Sequence, residues 1–188
     1  MPATGHVRWL RMGVIAMRRL GVVVALGALL GMLGGVVTAS PALARGPKWQ
    51  VVPAGPFTLP SLFCGFKVRV APQVNQRFSK LLKASDGSMT FLHTGFFTVS
   101  YTNLQTGKSI TENASGPVKF TVSPDGSAIL AAKGRTGNFL SPADAKRFGL
   151  PTVSVTAGAV TGSVAPDGSI TSLSLHGHVL VDVCAALS

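Results

Sequence analysis

Beyond residue 45, apolar and polar positions alternate with a period of two through most of the chain. From Cys64 to Val70, Phe66, Val68 and Val70 point one way and Lys67 and Arg69 the other, the pattern of a half-buried strand. The stretch 90–103 is longer and rich in Thr, Phe, Val and Tyr, with Phe91, His93, Phe97, Val99 and Tyr101 in one phase. Further strands are predicted over 118–122, 128–132, 159–164 and 170–183, with weaker candidates at 80–84, 108–113 and 152–155. The segment 74–82 places Val74, Phe78, Leu81 and Leu82 on one helical face. It is read instead as an irregular lead-in to the strand at 80–84.

Between these segments stand Asp86-Gly87, Thr106-Gly107, Asp125-Gly126 and Asp167-Gly168. Short strands at regular spacing with glycine turns between them predict an all-β fold. "VSPDGSAI" at 122–129 has a near copy in "VAPDGSIT" at 164–171, and Asp86-Gly87-Ser88 repeats the core of both. A calcium loop needs oxygen ligands at alternating positions, where this chain has Ala128, Ile129 and Ile170. Pro pre-sets the first turn position, Asp accepts backbone hydrogen bonds and Gly takes positive φ, so the repeats are read as hairpins.

Ser141-Pro-Ala-Asp-Ala-Lys-Arg-Phe-Gly149 breaks the alternation. Ser at the N-cap, Pro at the first position, Asp near the positive end, Lys and Arg near the negative end and Gly as the stop predict one short helix. It falls near 141–148.

The N-terminal 44 residues read as an export signal. Arg8, Arg11, Arg18 and Arg19 precede an apolar run from Leu20 to Val37, and Ala42 and Ala44 supply the small residues of a cleavage site. Cleavage after Ala44 would leave an extended lead-in at 45–56 and one β-domain at 57–188. The protein is thus expected to be secreted, touching a membrane only through the uncleaved signal. Thirteen of the 17 basic residues and all six acids lie beyond the cleavage point, for a net charge of +7. Such a field favours anionic neighbours, cell-wall polymers among them. No specific nucleic-acid motif accompanies it.

Both cysteines, Cys64 and Cys184, lie in the exported part, and an oxidising compartment predicts a disulfide between them. That pairing draws the first and last strands together. Consecutive hairpins so joined suggest an antiparallel meander curled into a barrel or barrel-like sheet, with a two-sheet sandwich as the alternative. Cys184 counted back along an unbroken strand shares the phase of His176, His178 and Asp182, opposite to that expected of a core cysteine. A bulge at Gly177 would reset it.

Candidate chemistry is sparse. Asp86, Asp125 and Asp167 belong to turns and Asp144 to a helix start, which leaves Glu112 and Asp182 as the only carboxylates for acid–base work. No nucleophile elbow, zinc-protease motif, P-loop or dinucleotide fingerprint occurs, and no cofactor is implied. His176 and His178 lie on one face of a strand, a spacing that can grip a transition metal, and His93 on another strand is the candidate third ligand. Asn113-Ala-Ser115 matches a glycosylation sequon incidentally, and Trp49 is expected to cover one end of the fold.

Phe63-Cys-Gly-Phe66, Val74-Asn75, Leu104 with Thr106-Gly-Lys108, Ser115-Gly-Pro117, the paired Asp-Gly-Ser turns and Ile170-Thr-Ser-Leu-Ser-Leu175 leading to Val181-Asp-Val-Cys184 carry a resemblance. With them the chain resembles a group of small secreted proteins of high-GC actinomycete bacteria, over nearly all of 57–187. The resemblance implies an exported β-domain with one disulfide and transfers no catalytic residue. The expected function is non-enzymatic binding, either of a small apolar ligand inside the fold or of an anionic envelope component outside it. Phe91, Phe97, Val99 and Tyr101 are the expected lining of a ligand site. The alternatives are a structural envelope protein without a pocket and, third, an enzyme.

Overall fold

A computed structural model describes residues 48–188; the segment 1–44, expected to be an export signal, falls outside the described residues. The elements are β1 (Gln50–Val51), β2 (Phe57–Leu59), β3 (Val68–Lys83), β4 (Met89–Asn103), β5 (Ser109–Asn113), β6 (Val118–Val122), β7 (Ala128–Phe139), α1 (Pro142–Phe148), β8 (Val153–Val164), β9 (Ile170–Asp182) and α2 (Val183–Leu187). One antiparallel sheet runs β1-β3-β4-β6-β7-β8-β9, with β2 added to β3 and β5 to β4. The all-β meander is as the alternation predicts, but the barrel does not close. β1 and β2 occupy the outer edge of β3, and among the described residues β9 has no strand partner beyond β8. The lead-in is therefore part of the sheet: Gln50 and Val51 pair with Ser79 and Phe78.

The three Asp-Gly-Ser loops are hairpins of one design, joining β3 to β4, β6 to β7 and β8 to β9. In each, the Asp carboxylate accepts from the Ser N–H two residues on, at 2.8, 2.9 and 2.9 Å. Each glycine sits at φ between 83° and 87°, where a side chain is strained. The loops lie side by side at one end of the sheet, Gly87 facing Pro124 and Gly126 facing Pro166.

β5 and β6 are two halves of one interrupted partner of β4, since Thr98↔Asn113 and His93↔Val118 belong to the same register. At the break the Phe97 N–H donates to Ser115 Oγ at 2.7 Å, and Ser115 N–H donates to Asn113 Oδ1 at 2.8 Å. The sequon residues thus hold the junction together. Continuing the register sets Gly116 opposite Gly95; Gly116 packs on Gly134, Gly134 pairs with Gly158, and Gly158 with Gly177. A line of glycines so crosses five neighbouring segments. At Gly158, φ is +126° and an added Cβ would lie 2.2 Å from the His176 carbonyl oxygen and 2.7 Å from Gly177 Cα. At Gly95, Gly116, Gly158 and Gly177 the backbones approach too closely for a side chain, and at Gly134 a φ of +80° disfavours one, which lets a long sheet bend sharply.

The core lies at the end opposite the hairpins. Leu59, Phe63, Phe66, Val68, Val70, Val99, Tyr101, Val153, Val155, Val183 and Leu187 form one buried cluster. The start of β3 and the end of β4 thereby pack against the start of β8 and against α2, with no hydrogen-bonded closure. The Cys64–Cys184 disulfide, Cα atoms 5.1 Å apart, fastens this end. Neither cysteine is on a strand: Cys64 lies in the turn before β3 and Cys184 in α2, which Asp182 caps by accepting from the Ala185 N–H at 3.1 Å. The phase conflict read from the sequence disappears with the strand's end. The extra residue of β9 near this point is Leu180, not Gly177, because Val155 pairs with Val181 and Thr156 with Val179.

α1 has the predicted design, with Ser141 Oγ accepting from the Asp144 N–H and Gly149 ending the helix at φ 66°. The sequence underestimates three strands. β3 runs unbroken through the expected lead-in, absorbing Pro72 with a bulge at the shift between Pro72 and Val74. β7 and β8 continue through glycines at which the alternation stops.

Candidate functional site

A curled sheet whose core fills only one end leaves a hollow on its concave face. Here the hollow is a cavity of about 540 Å³, walled by alternate residues of β3 and β4, by β6, and by the end of β7. From β4 come Phe91, His93, Gly95, Phe97, Val99 and Tyr101, one phase of the strand, together with Thr94 from the other phase. The four residues expected to line a ligand site, Phe91, Phe97, Val99 and Tyr101, therefore all face this space. Val99 and Tyr101 also belong to the core cluster, so they form its floor, while Phe91 and Phe97 stand higher on the wall.

The floor is aromatic. Phe57 meets Phe139 edge-on with ring centroids 5.8 Å apart, and Tyr101 lies 6.4 Å from Phe139 in a tilted arrangement. Tyr101 is 1 % exposed, and its hydroxyl reaches Gly137, where a Cβ would come within 3.3 Å. Burial, and secondarily the charge of Glu112, push the Tyr101 hydroxyl well above its ordinary pKa, so it is a neutral donor at physiological pH. A second space of about 120 Å³ adjoins the first and shares Val118, Phe120, Thr136, Gly137 and Phe139 with it. Leu130, Ala132 and Leu173 extend the apolar wall there.

Arg77 enters from β3, directly across from Gly95. Its guanidinium lies 3.7 Å from the centre of the Phe97 ring, and its Nε donates to Asn75 Oδ1 at 3.1 Å. Asn75 in turn donates through Nδ2 to the Val52 carbonyl at 2.7 Å, and the Val52 N–H donates to the Arg77 carbonyl at 3.0 Å. The N-terminal segment is tied by these bonds along the rim of the cavity. Burial lowers the pKa of Arg77, which still leaves it charged at neutral pH. His93, across from Ser79, is held below its ordinary pKa by burial first and by the Arg77 charge second.

Arg77 is the residue that sequence reasoning missed. Its signal was the shared phase of Arg77, Ser79 and Leu81, which becomes visible only once 74–82 is read as strand. Trp49, expected to cover one end of the fold, is 49 % exposed and does not line the cavity. Lys48 and Val51 beside it do.

The candidate metal ligands are not brought together. His176 and His178 are exposed on β9, and β6, β7 and β8 stand between that strand and His93 on β4. Among the described residues no group of three His, Cys, Asp or Glu is placed to hold a metal ion. Nor do Glu112 and Asp182 form a carboxylate pair: β5 and β9 are not neighbours, and Asp182 is committed to the α2 cap.

Among the described residues no helix is long and apolar enough to cross a membrane. The chain matches no family model, no curated protein and no solved structure.

Proposed function

We propose that the protein is a secreted, non-enzymatic β-domain that holds an apolar small molecule on the concave face of its sheet. The observation that carries this is the cavity of about 540 Å³ walled by Phe57, Val70, Phe91, Phe97, Phe120 and Phe139. Its volume falls within the roughly 300–1,000 Å³ of small-molecule sites, as does a mostly apolar wall with a few fixed polar groups. The disulfide and the export-signal pattern support secretion, and the resemblance to small exported actinomycete proteins points the same way.

The test is a fluorescence titration with N-phenyl-1-naphthylamine, a neutral apolar probe. Saturable enhancement with one site per chain is expected, and Val118→Trp, which fills the space shared by the two lobes, should abolish it. No enhancement, or enhancement that survives the filling, overturns the reading.

One observation favours a second surface. Lys80 and Lys119 flank Leu92 in register on the face opposite the cavity, a basic strip suited to an anionic envelope polymer. Binding of that kind should weaken steeply with salt.

A further inference from the structure

Resting on the cavity reading, we infer that the ligand is an amphiphile with a single anionic head, a carboxylate, and a hydrocarbon tail. The head sits against Arg77 and His93, and the tail lies along the aromatic wall.

The charge of the lining decides the class of head group. The charged or titratable side chains that line the cavity, among the described residues, are Lys48, Arg77 and His93, with the Tyr101 hydroxyl at the floor; no carboxylate lines it. An apolar wall with cationic groups on one side disfavours an ammonium ligand by like-charge repulsion. It leaves a neutral ligand without any gain from the cations, and rewards an anion.

Arg77 is also fixed in place. Stacking on Phe97 and the Asn75 bond hold the guanidinium in one orientation before any ligand arrives. Little side-chain entropy is then lost when a carboxylate settles against this fixed positive charge. Gly95 lies across the ladder from Arg77, and the β3 backbone closes on it there, with the Gln76 carbonyl oxygen 2.1 Å from where a Cβ would stand. His93, kept neutral by its surroundings, offers an imidazole that can donate to a carboxylate without requiring a second charge.

The tail has a path. From Phe97 the wall continues through Phe120 and Phe139 into the adjoining lobe lined by Leu130 and Leu173. A volume of about 540 Å³ equals that of roughly 18 waters at about 30 Å³ each, enough for a ligand of on the order of ten to twenty non-hydrogen atoms.

The experiment is isothermal titration calorimetry of the purified, disulfide-intact chain with decanoate, decan-1-ol and decylamine at pH 7.5. Decanoate should bind at least tenfold more tightly than decan-1-ol, and decylamine most weakly. Arg77→Gln should bring decanoate to the level of the alcohol while leaving the alcohol unchanged, and Arg77→Lys should restore part of the preference. Equal binding of decanoate and decan-1-ol, or tighter binding of the amine, overturns the assigned head group and leaves the cavity reading standing. If none of the three binds, both fall. Should Arg77→Gln fail to fold by circular dichroism, the three-ligand comparison on the unaltered chain decides alone.

Discussion

Replacing Gly158 with alanine is the sharpest perturbation of the fold that the structure offers. A Cβ there would lie 2.2 Å from the His176 carbonyl oxygen, 2.7 Å from Gly177 Cα and 3.0 Å from the His176 carbonyl carbon. All three atoms are backbone, so no rotamer change relieves the overlap, and β8 and β9 must separate locally. Holding alanine at φ +126° costs roughly 1–3 kcal/mol, and forcing an extra methyl into a closed space costs about 1–3 kcal/mol more. A loss of roughly 2–6 kcal/mol is expected from the two together, against a total stability on the order of 5–15 kcal/mol. Gly162→Ala, four residues along the same strand, is the control. Its nearest neighbours would be the Ser172 carbonyl oxygen at 3.1 Å and the movable Leu173 Cδ1 at 3.3 Å, and its effect should stay within about 1 kcal/mol, since reduced freedom of the unfolded chain opposes the tight contact. Urea unfolding followed by circular dichroism, with the slope checked for constancy, measures both. If Gly158→Ala costs no more than Gly162→Ala, the glycine line is not the bend it is taken for here.

Three further outcomes follow from the same geometry. Removing the disulfide with Cys64→Ala and Cys184→Ala together should lower stability by up to roughly 4–5 kcal/mol, since the bond closes a loop of 120 residues; reversible urea unfolding would show it, and a loss under 1 kcal/mol would contradict it. His93 should titrate by NMR below the ordinary value of about 6.5, so its stabilising contribution is full above that value and is lost as pH falls through the folded pKa. Arg77→Gln should move the His93 midpoint upward, because the Arg77 charge is one of its two causes, and an unmoved midpoint would detach the pair. Asp86, Asp125 and Asp167 are each held below the usual carboxylate range by hydrogen bonds from the serine two residues on, so the contribution of these turns is present above about pH 4 and fades as pH falls through their folded pKa values. The triple Asp→Asn variant should flatten the loss of Tm on acidification, and an unchanged acid profile would count against the turn bonds.

How far the structure could be read from the sequence depended on the range of the interactions involved. Hairpin loops and the α1 caps are local: Asp, Gly and Ser satisfy one another within a few residues, and Ser141 to Gly149 carries its own start and stop. The phase of β4 was legible for the same reason, since Phe91, Phe97, Val99 and Tyr101 alternate with Thr and Ser. Elements that depend on a partner strand were hidden. Gly134 and Gly158 look like strand ends until they are seen opposite each other, where the missing side chains permit the bend. Pro72 looks like an interruption until the bulge beside it is placed against Val99. The cysteines announced their pairing, but their phase misled because α2 begins at Val183, where the sequence still reads as β-branched strand. Barrel closure failed for a similar reason: hydrophobic packing of β3 and β4 on β8 brings the ends of the sheet together without hydrogen bonds between its edges. Arg77 as part of the site was least legible of all, because its position depends on Phe97 and Asn75 and on the tether to Val52.

Whether a ligand occupies the concave face decides between the cavity and the basic strip on the opposite face. The direct measurement is an intermolecular NOE experiment on the isotope-labelled, disulfide-intact chain saturated with decanoate. NOEs from the ligand chain to Phe97, Val99, Tyr101 and Phe120, with the methylene next to the carboxylate nearest Arg77, are the predicted result. Contacts confined to the opposite face around Lys80, Leu92 and Lys119, with the cavity signals unmoved, would contradict it.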